Sequence, residues 1–291
     1  MNDHLSSIRF GTCSWKYESW KGLIYPESDG FNYLQEYSKH LDTVEIDQWF
    51  WSLYTESKVV LPQKKVVTEY KNSVPKDFLF TIKVPNSITL THFYRKNKSD
   101  DLSKNPYFLS RDLYKEFLDS IDIIKENVGC LIFQFEYLNK DKISSQDIFQ
   151  NMIYDFISEV SHHNYPIGIE IRNPNYLNKK YFEFLSQLKI IPVLLEGYYM
   201  PPVVETFNKF IDKFNGAMIF RLHGPDRSGI EKLSNEKWNK IYIDRTAELN
   251  RLVQLFKIIK SRNIDLFVNV NNHYEGSAPL TIKKIKGLLN Q

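Results

Sequence analysis

Eight short runs of β-branched and aromatic residues recur along the chain, and longer segments with apolar residues three or four positions apart lie between them. Strands that alternate with helices form a parallel sheet with crossover helices. Eight such units in 291 residues favour closure into a (β/α)8 TIM-like barrel, which we expect as a single domain over residues 1–291. An open doubly wound sheet is the alternative, but no Gly-x-Gly-x-x-Gly follows any of the runs. The predicted strands are Ile8–Thr12, Thr43–Ile46, Phe78–Lys83, Gly129–Phe135, Ile167–Ile171, Ile190–Leu195, Ala217–Leu222 and Asp265–Val270.

Composition narrows the class of protein. With 42% hydrophobic and 25% charged residues, the chain is neither disordered nor fibrous. A net charge of +3 does not argue for general binding to nucleic acid or membranes. No stretch approaches the roughly 18 apolar residues that span a bilayer. The N-terminus lacks a signal-peptide pattern, and the two cysteines, Cys13 and Cys130, lie in apolar runs typical of buried strands. We therefore expect a cytoplasmic protein.

Polar or aromatic side chains lie at or just after the carboxyl end of every predicted strand. In a barrel these ends surround one opening, and the loops that follow them carry the chemistry. The opposite strand ends are plainer, so the pattern predicts one site at the C-terminal mouth. The residues that we assign to it are Trp15, Tyr17, Glu45, Lys83, His92, Gln134, Glu170, Arg172, Arg221, His223, Asn271 and Asn272.

Motifs at these strand ends resemble those of the YecE-like family, a group of unknown function. The resemblance runs in order from about Ile8 to the C-terminus, and it implies a TIM-barrel-like fold without supplying a reaction. The chain departs from the family at Asp47, where Asn is usual, and at the string Gln134-Phe135-Glu136-Tyr137. The motifs are Gly11-Thr12-Cys13-Ser14-Trp15-Lys16-Tyr17, Phe78-x-Phe80-x-x-Lys83, Glu170-Ile171-Arg172, Arg221-Leu222-His223-Gly224 and Asn271-Asn272.

On two predicted strands, two charged or titratable residues are separated by one position, so the two members of each pair share one face of the strand. Arg221 and His223 form a pair suited to a phosphate or a carboxylate. Glu170 and Arg172 form the other, and Glu170 together with Glu45 offers two carboxyl groups for acid/base catalysis. The structural alternative is a set of buried ion pairs, either Glu170 with Arg221 or Glu45 with Arg172.

Other candidates have more specific roles. Trp15, directly after a strand, is a candidate stacking wall for a ring-bearing ligand. Asn271 is expected to face inward and to donate to ligand oxygens, whereas Asn272 suits the following turn. A divalent metal on His92, His223 and His273 with Glu45, Glu170 and Asp47 is a weaker alternative, because no metal-ligand spacing is present. No metal ligand is therefore assigned, and the cofactor stays open.

These observations lead to one main hypothesis and two alternatives. The main hypothesis is an enzyme, a hydrolase or an isomerase, that acts on an anionic small molecule carrying phosphate or carboxylate. Glu45, Glu170 and His223 are its catalytic candidates, and the other site residues bind the substrate. One alternative is a nucleic-acid binder or nuclease that also uses the basic loop Arg95–Lys98. The other is a ligand-binding barrel without catalysis. The sequence does not fix the substrate.

Overall fold

A computed structural model describes residues 7–55, 58–95, 97, 101–160 and 165–290 of the chain. The strands in these ranges are β1 (Ile8–Thr12), β2 (Thr43–Ile46), β3 (Leu53–Thr55), β4 (Lys58–Val59), β5 (Leu79–Lys83), β6 (Val128–Gln134), β7 (Ile167–Glu170), β8 (Ile191–Gly197), β9 (Ala217–Gly224) and β10 (Asp265–Val270). The α-helices are α1 (Tyr33–Tyr37), α2 (Lys64–Ser73), α3 (Asn86–Thr89), α4 (Arg111–Ile121), α5 (Gln146–Val160), α6 (Lys179–Gln187), α7 (Val203–Lys209), α8 (Arg227–Ser234), α9 (Thr246–Ser261) and α10 (Ala278–Leu289).

Eight of the strands form one parallel sheet in the order β1-β10-β9-β8-β7-β6-β5-β2. Each corresponds to one of the eight predicted runs, and every strand end falls within two residues of the predicted one. Helices connect successive strands, so the TIM-barrel prediction is confirmed. The remaining strands, β3 and β4, pair as a small antiparallel hairpin after β2, which the sequence did not predict.

The sheet closes where β1 meets β2. Cys13 forms a parallel bridge with Glu45, and the Ser14 amide donates to the Glu45 carbonyl over 3.1 Å. Lower along this seam, a Cβ atom on Gly11 would lie only 2.1 Å from the carbonyl oxygen of Thr43. The two strands therefore approach this closely because position 11 lacks a side chain.

The barrel interior changes from apolar to polar along its axis. Because side chains alternate between the two faces of a strand, every second residue points inward. Nearer the N-terminal ends of the strands, the buried side chains of Cys130, Ile132, Val193, Ile219 and Phe267 form one apolar cluster. Two residues further along β6, β9 and β10, this inward row continues with the polar side chains of Gln134, Arg221 and Asn269. The apolar layer therefore fills the barrel and provides a floor beneath the polar layer.

The outward faces of the strands pack on the helices. In α9 the apolar residues predicted to lie on one face, Leu249, Leu252, Val253, Phe256 and Ile259, are all buried. Within the described ranges, no helix combines the length and the apolar character that a membrane span requires.

Candidate functional site

Arg221 is the centre of the polar layer. Its Nε and Nη2 atoms each donate to a carboxylate oxygen of Glu45 over 2.7 Å, which makes a bidentate pair. Its Nη1 atom donates to Glu170 over 2.5 Å and to the Gln134 side-chain oxygen over 3.1 Å. The arginine is 2% exposed and both glutamates are fully buried. Every nitrogen of the guanidinium is thus committed to a neighbour, so Arg221 holds the barrel end together and is not free for a ligand.

Glu170 is shared between two arginines. It accepts from Arg221 through one oxygen and from the Arg172 Nε through the other, over 2.6 Å. Burial alone would raise the pKa of Glu170, but the opposite effect of Arg172 and Arg221 together is larger, and the pKa falls to about 2. The predicted ion pair between Glu170 and Arg221 is confirmed. The alternative pair of Glu45 with Arg172 is not formed, because Arg221 occupies both oxygens of Glu45.

Two residues that the sequence analysis did not assign complete the shell around Glu45. The Asn269 side-chain nitrogen donates to Glu45 over 3.2 Å and to the Thr81 hydroxyl over 2.9 Å. Both side chains are fully buried on inward positions of β10 and β5. Asn269 lies two residues after Phe267 and Thr81 two residues before Lys83, and this spacing of two is the signal that identifies them as barrel-facing.

His223 lies beside Cys13 and Tyr198. Its Nε2 atom is 3.6 Å from the Cys13 sulfur, and its Nδ1 atom is 3.3 Å from the Tyr198 hydroxyl. Burial, followed by the Arg221 cation, lowers the pKa of His223 well below its usual value. Burial, followed by Glu45, raises the pKa of Cys13 well above its usual value. At neutral pH this pair is therefore a neutral imidazole and a neutral thiol, and His223 adds no positive charge to Arg221.

Lys83 ends β5 close to this network. Its side chain is 7% exposed, and its Nζ atom lies 3.7 Å from the centre of the Phe50 ring. Burial and the neighbouring Arg221 cation lower the pKa of Lys83 to about 8. Asp47, a half-buried carboxyl group in the loop after β2, has a pKa raised by burial and then by Glu45. In both groups burial is the largest cause, and it shifts the pKa toward the neutral form.

A cleft of about 770 Å³ opens beside the Arg221 network. Arg172 connects the two, since its Nε donates to Glu170 while its guanidinium lies 5.2 Å from the Tyr198 ring. Its terminal nitrogens donate to no residue in the described ranges. Glu136 is ion-paired with Lys142, which offsets its negative charge in the cleft. The lining residues are Gln134, Glu136, Tyr137, Arg172, Pro174, Tyr198, Tyr199 and Met200.

Trp15 and Tyr17 do not line this cleft. Trp15 is buried in the main hydrophobic core, where it packs edge to face on Tyr70 at 5.1 Å. It borders a separate cleft near α1 and α2. The Tyr17 ring packs against Trp20, and its hydroxyl donates to the Cys13 carbonyl over 3.5 Å. Trp15 therefore packs on α2 and borders a cleft other than that of Arg172, and its role as a stacking wall stays a prediction.

The remaining predicted residues lie around the rim. The Asn271 side chain accepts from the His273 amide, and the Asn272 side chain accepts from the first amide of α10, each over 2.9 Å. The Asn272 side-chain nitrogen is buried without a partner in the described part of the chain. His92 contacts the Thr91 hydroxyl at 2.9 Å, and that hydroxyl donates to Glu136 on the edge of the cleft.

The sequence also left two alternatives open, a metal site on the histidines and carboxylates and a nucleic-acid surface on the basic loop. Among the described residues, no three His, Cys, Asp or Glu side chains are arranged to hold a metal ion. His273 instead contacts Glu231 at 3.2 Å. Of the basic loop Arg95–Lys98, positions 96 and 98 lie outside the described residues.

Comparison with known proteins identifies the family. A family model described as "Protein of unknown function DUF72" matches residues 9–291. The chain belongs to the DUF72 family. YecE is the name under which this family is also known, so the resemblance noted from the motifs is confirmed. No curated protein matches the chain.

Two solved structures of DUF72 family proteins share the fold along nearly the whole chain. The protein from Enterococcus faecalis V583 gives a TM-score of 0.67 at 20% identity, and the match covers 98% of this chain and 96% of that one. The protein from Thermotoga maritima MSB8 gives 0.65 at 20% identity, covering 98% and 99% respectively. At this identity the likeness shows the barrel of this DUF72 chain and nothing about its ligand.

Proposed function

We propose that this DUF72 protein is an enzyme, a hydrolase or an isomerase, that acts on an anionic small molecule in the cleft at its C-terminal barrel mouth. One observation carries the proposal: Arg172 is fixed by Glu170 through Nε, while its terminal nitrogens have no partner among the described residues. A guanidinium held in this way offers two parallel donors to a phosphate or carboxylate. Its side chain is 22% exposed, so it combines fixation with access.

The rest of the cleft supports a small organic anion. Tyr137, Tyr198 and Tyr199 provide aromatic surface, and Tyr199 is 94% exposed. Gln134 faces the cleft and also accepts from Arg221, which fixes its amide. Mostly apolar walls with a few fixed polar groups are typical of small-molecule sites.

Within this proposal the two glutamates are positioning residues. Glu45 fixes Arg221, and Glu170 fixes both arginines, so both carboxylates are already engaged by guanidinium groups. His223 remains the proposed proton acceptor, since its imidazole is neutral and contacts the hydroxyl of Tyr198, which lines the cleft.

Calorimetric titration with inorganic phosphate, ribose 5-phosphate and succinate tests the binding step. Removal of a charged hydrogen-bond partner costs about 1.5–3 kcal/mol, so R172M is expected to weaken binding roughly 10- to 100-fold. The change also removes one of the two arginines paired with the buried Glu170, so Tm is measured beside binding and titrations are made well below it. R227M, which removes an arginine from an exposed pair with Glu231, is the matched control. Equal binding by wild type and R172M would contradict the proposal.

The catalytic step needs its own measurement. Compounds that bind are followed for release of phosphate or for conversion to an isomer, in wild type and in H223Q. Turnover that is lost in H223Q with binding retained supports the enzyme. Binding without turnover of any bound compound would instead favour the ligand-binding barrel.

A further inference from the structure

One buried amine at the barrel mouth is not used by the anion-binding arrangement. Lys83 is the only buried lysine in the described part of the chain. It makes no hydrogen bond and no ion pair to any described residue, although buried charges are normally paired. Burial of a lysine without a carboxylate partner lowers the stability of the fold, so a functional reason for its position is expected.

The position of Lys83 directs it toward the barrel axis. Thr81, two residues earlier on β5, accepts a hydrogen bond from Asn269 inside the barrel. Because residues two apart on a strand share a face, Lys83 also points inward, and it is the last residue of its strand. The Phe50 ring, 3.7 Å from Nζ, covers one side of the amine.

The charges around Lys83 favour the neutral amine over the ammonium. Arg221 is a permanent cation nearby, and Glu45 and Glu170 are already paired with it. Asp47 is the remaining carboxyl group that acts on Lys83. Burial and Arg221 outweigh these three carboxyl groups and bring the pKa of Lys83 from 10.5 to about 8. At pH 7 the free amine is therefore about 300-fold more abundant than in an ordinary lysine.

We propose that Lys83 is a nucleophilic amine that forms an imine with a small aldehyde or ketone carrying a phosphate or carboxylate group. The inference rests on the proposed function, since Arg172 would hold the anionic group while the carbonyl meets Lys83. A desolvated lysine beside a second cation is an established way to activate an amine.

Formation of the imine needs no oxidant, reductant or further reactant. The Nζ lone pair attacks the carbonyl carbon, a C–N bond forms, and the oxygen becomes the hydroxyl of a carbinolamine. That oxygen then leaves as water with both protons of the neutral amine, which gives the imine. Protonation of the imine nitrogen yields the iminium. Asp47, whose charge acts on Lys83 and whose pKa is raised by burial and then by Glu45, is the proposed proton carrier: it donates a proton to the departing hydroxyl and is restored by the second proton of the amine.

Reductive trapping tests the proposal on the intact protein. Wild type is incubated with pyruvate or dihydroxyacetone phosphate and cyanoborohydride, and modified peptides are identified by mass spectrometry. We expect Lys83 to be labelled at least about tenfold faster than Lys142 at pH 7. Lys142 is the matched control because it lies near the same cleft but is ion-paired with Glu136. Labelling of Lys83 should rise between pH 7 and 9 and then level off, whereas an ordinary lysine continues to gain reactivity to higher pH.

Variants separate this inference from the proposed function. K83R keeps a cation and should abolish labelling at position 83, and K142R should leave the labelling of Lys83 unchanged. R172M should slow labelling by pyruvate but not by uncharged acetaldehyde. Labelling of Lys83 with no preference for anionic carbonyls would support the amine and contradict the anion site. Anion binding that depends on Arg172, with Lys83 labelled no faster than Lys142, would overturn the imine and leave the proposed function standing.

Discussion

Replacement of Arg221 by methionine tests whether the buried ionic network holds the barrel together. The change removes the bidentate partner of Glu45, which is fully buried, whereas Glu170 retains its 2.6 Å contact with Arg172. One buried carboxylate is thus left unpaired and a second is half paired. Breaking a buried ion pair from one side costs about 3–5 kcal/mol. Since a whole domain is stable by only about 5–15 kcal/mol, R221M should be severely destabilised.

The dependence of stability on pH tests the same network. In wild type the pKa of Glu170 is lowered from 4.5 to about 2, so its ion pairs stabilise the fold above about pH 4.5. That contribution, about 3 kcal/mol, is lost as the pH falls toward 2. In R221M one of the two arginines that lower the pKa of Glu170 is gone, so the variant should have less of this stability to lose as the pH falls below 4.5.

Urea denaturation followed by tryptophan fluorescence at pH 7 and at pH 3 measures both effects. The double variant R221M/E45Q should recover part of the loss, because it removes the unpaired charge. R227M breaks only an exposed pair and should cost less than about 1 kcal/mol. A loss below about 1 kcal/mol in R221M, or a variant that weakens in acid as wild type does, would refute the reasoning.

Three further predictions concern two glycines, one in the seam and one in α10, and the two thiols. G11A should destabilise the fold by about 1–3 kcal/mol in the same urea assay, because its methyl group would meet the Thr43 carbonyl. G287A, at a position in α10 with nothing within 4 Å, should instead stabilise the protein by about 0.5–1 kcal/mol. Cys13 and Cys130 are buried with raised pKa values, so neither should react with Ellman's reagent at pH 8 until urea unfolds the chain. Rapid reaction of one thiol in the native protein would contradict the described burial.

The strands were predictable because a parallel barrel buries both faces of its sheet. Residues 130–133 of β6 (Cys-Leu-Ile-Phe) are all buried and all apolar, so the run is continuous rather than alternating and is clear in the sequence. The Leu53–Thr55 strand of the hairpin was not predicted. It is only three residues long and lies within an aromatic loop, where no turn signal marks it.

The sequence predicted which site residues face the barrel interior, but not the distances between their side chains. Period two correctly gave Arg221 and Glu170 a common interior, and strand order brought Glu45 to them. Whether the two carboxyl groups meet each other or an arginine between them depends on side-chain length and rotamer across the barrel, which no spacing along the chain encodes. Tyr198 was missed for a different reason. It enters the site through a turn in which Gly197 and Tyr198 both have positive φ, at 129° and 53°.

The pKa values of Lys83 and Asp47 depend on burial and on the charges of the Arg221 network. In water a lysine and an aspartic acid with pKa values of 10.5 and 3.8 are separated by about 9 kcal/mol for transfer of a proton from ammonium to carboxylate. Burial acts on both groups in the direction that narrows this gap, because it penalises the ammonium and the carboxylate alike. The fixed charges act in both directions, since Arg221 lowers the pKa of both groups and Glu45 raises the pKa of both. Burial is therefore the main cause that narrows the gap, and a change that neutralised Arg221 and Glu45 together should leave the pKa of Lys83 below its usual value as long as the fold keeps the amine buried.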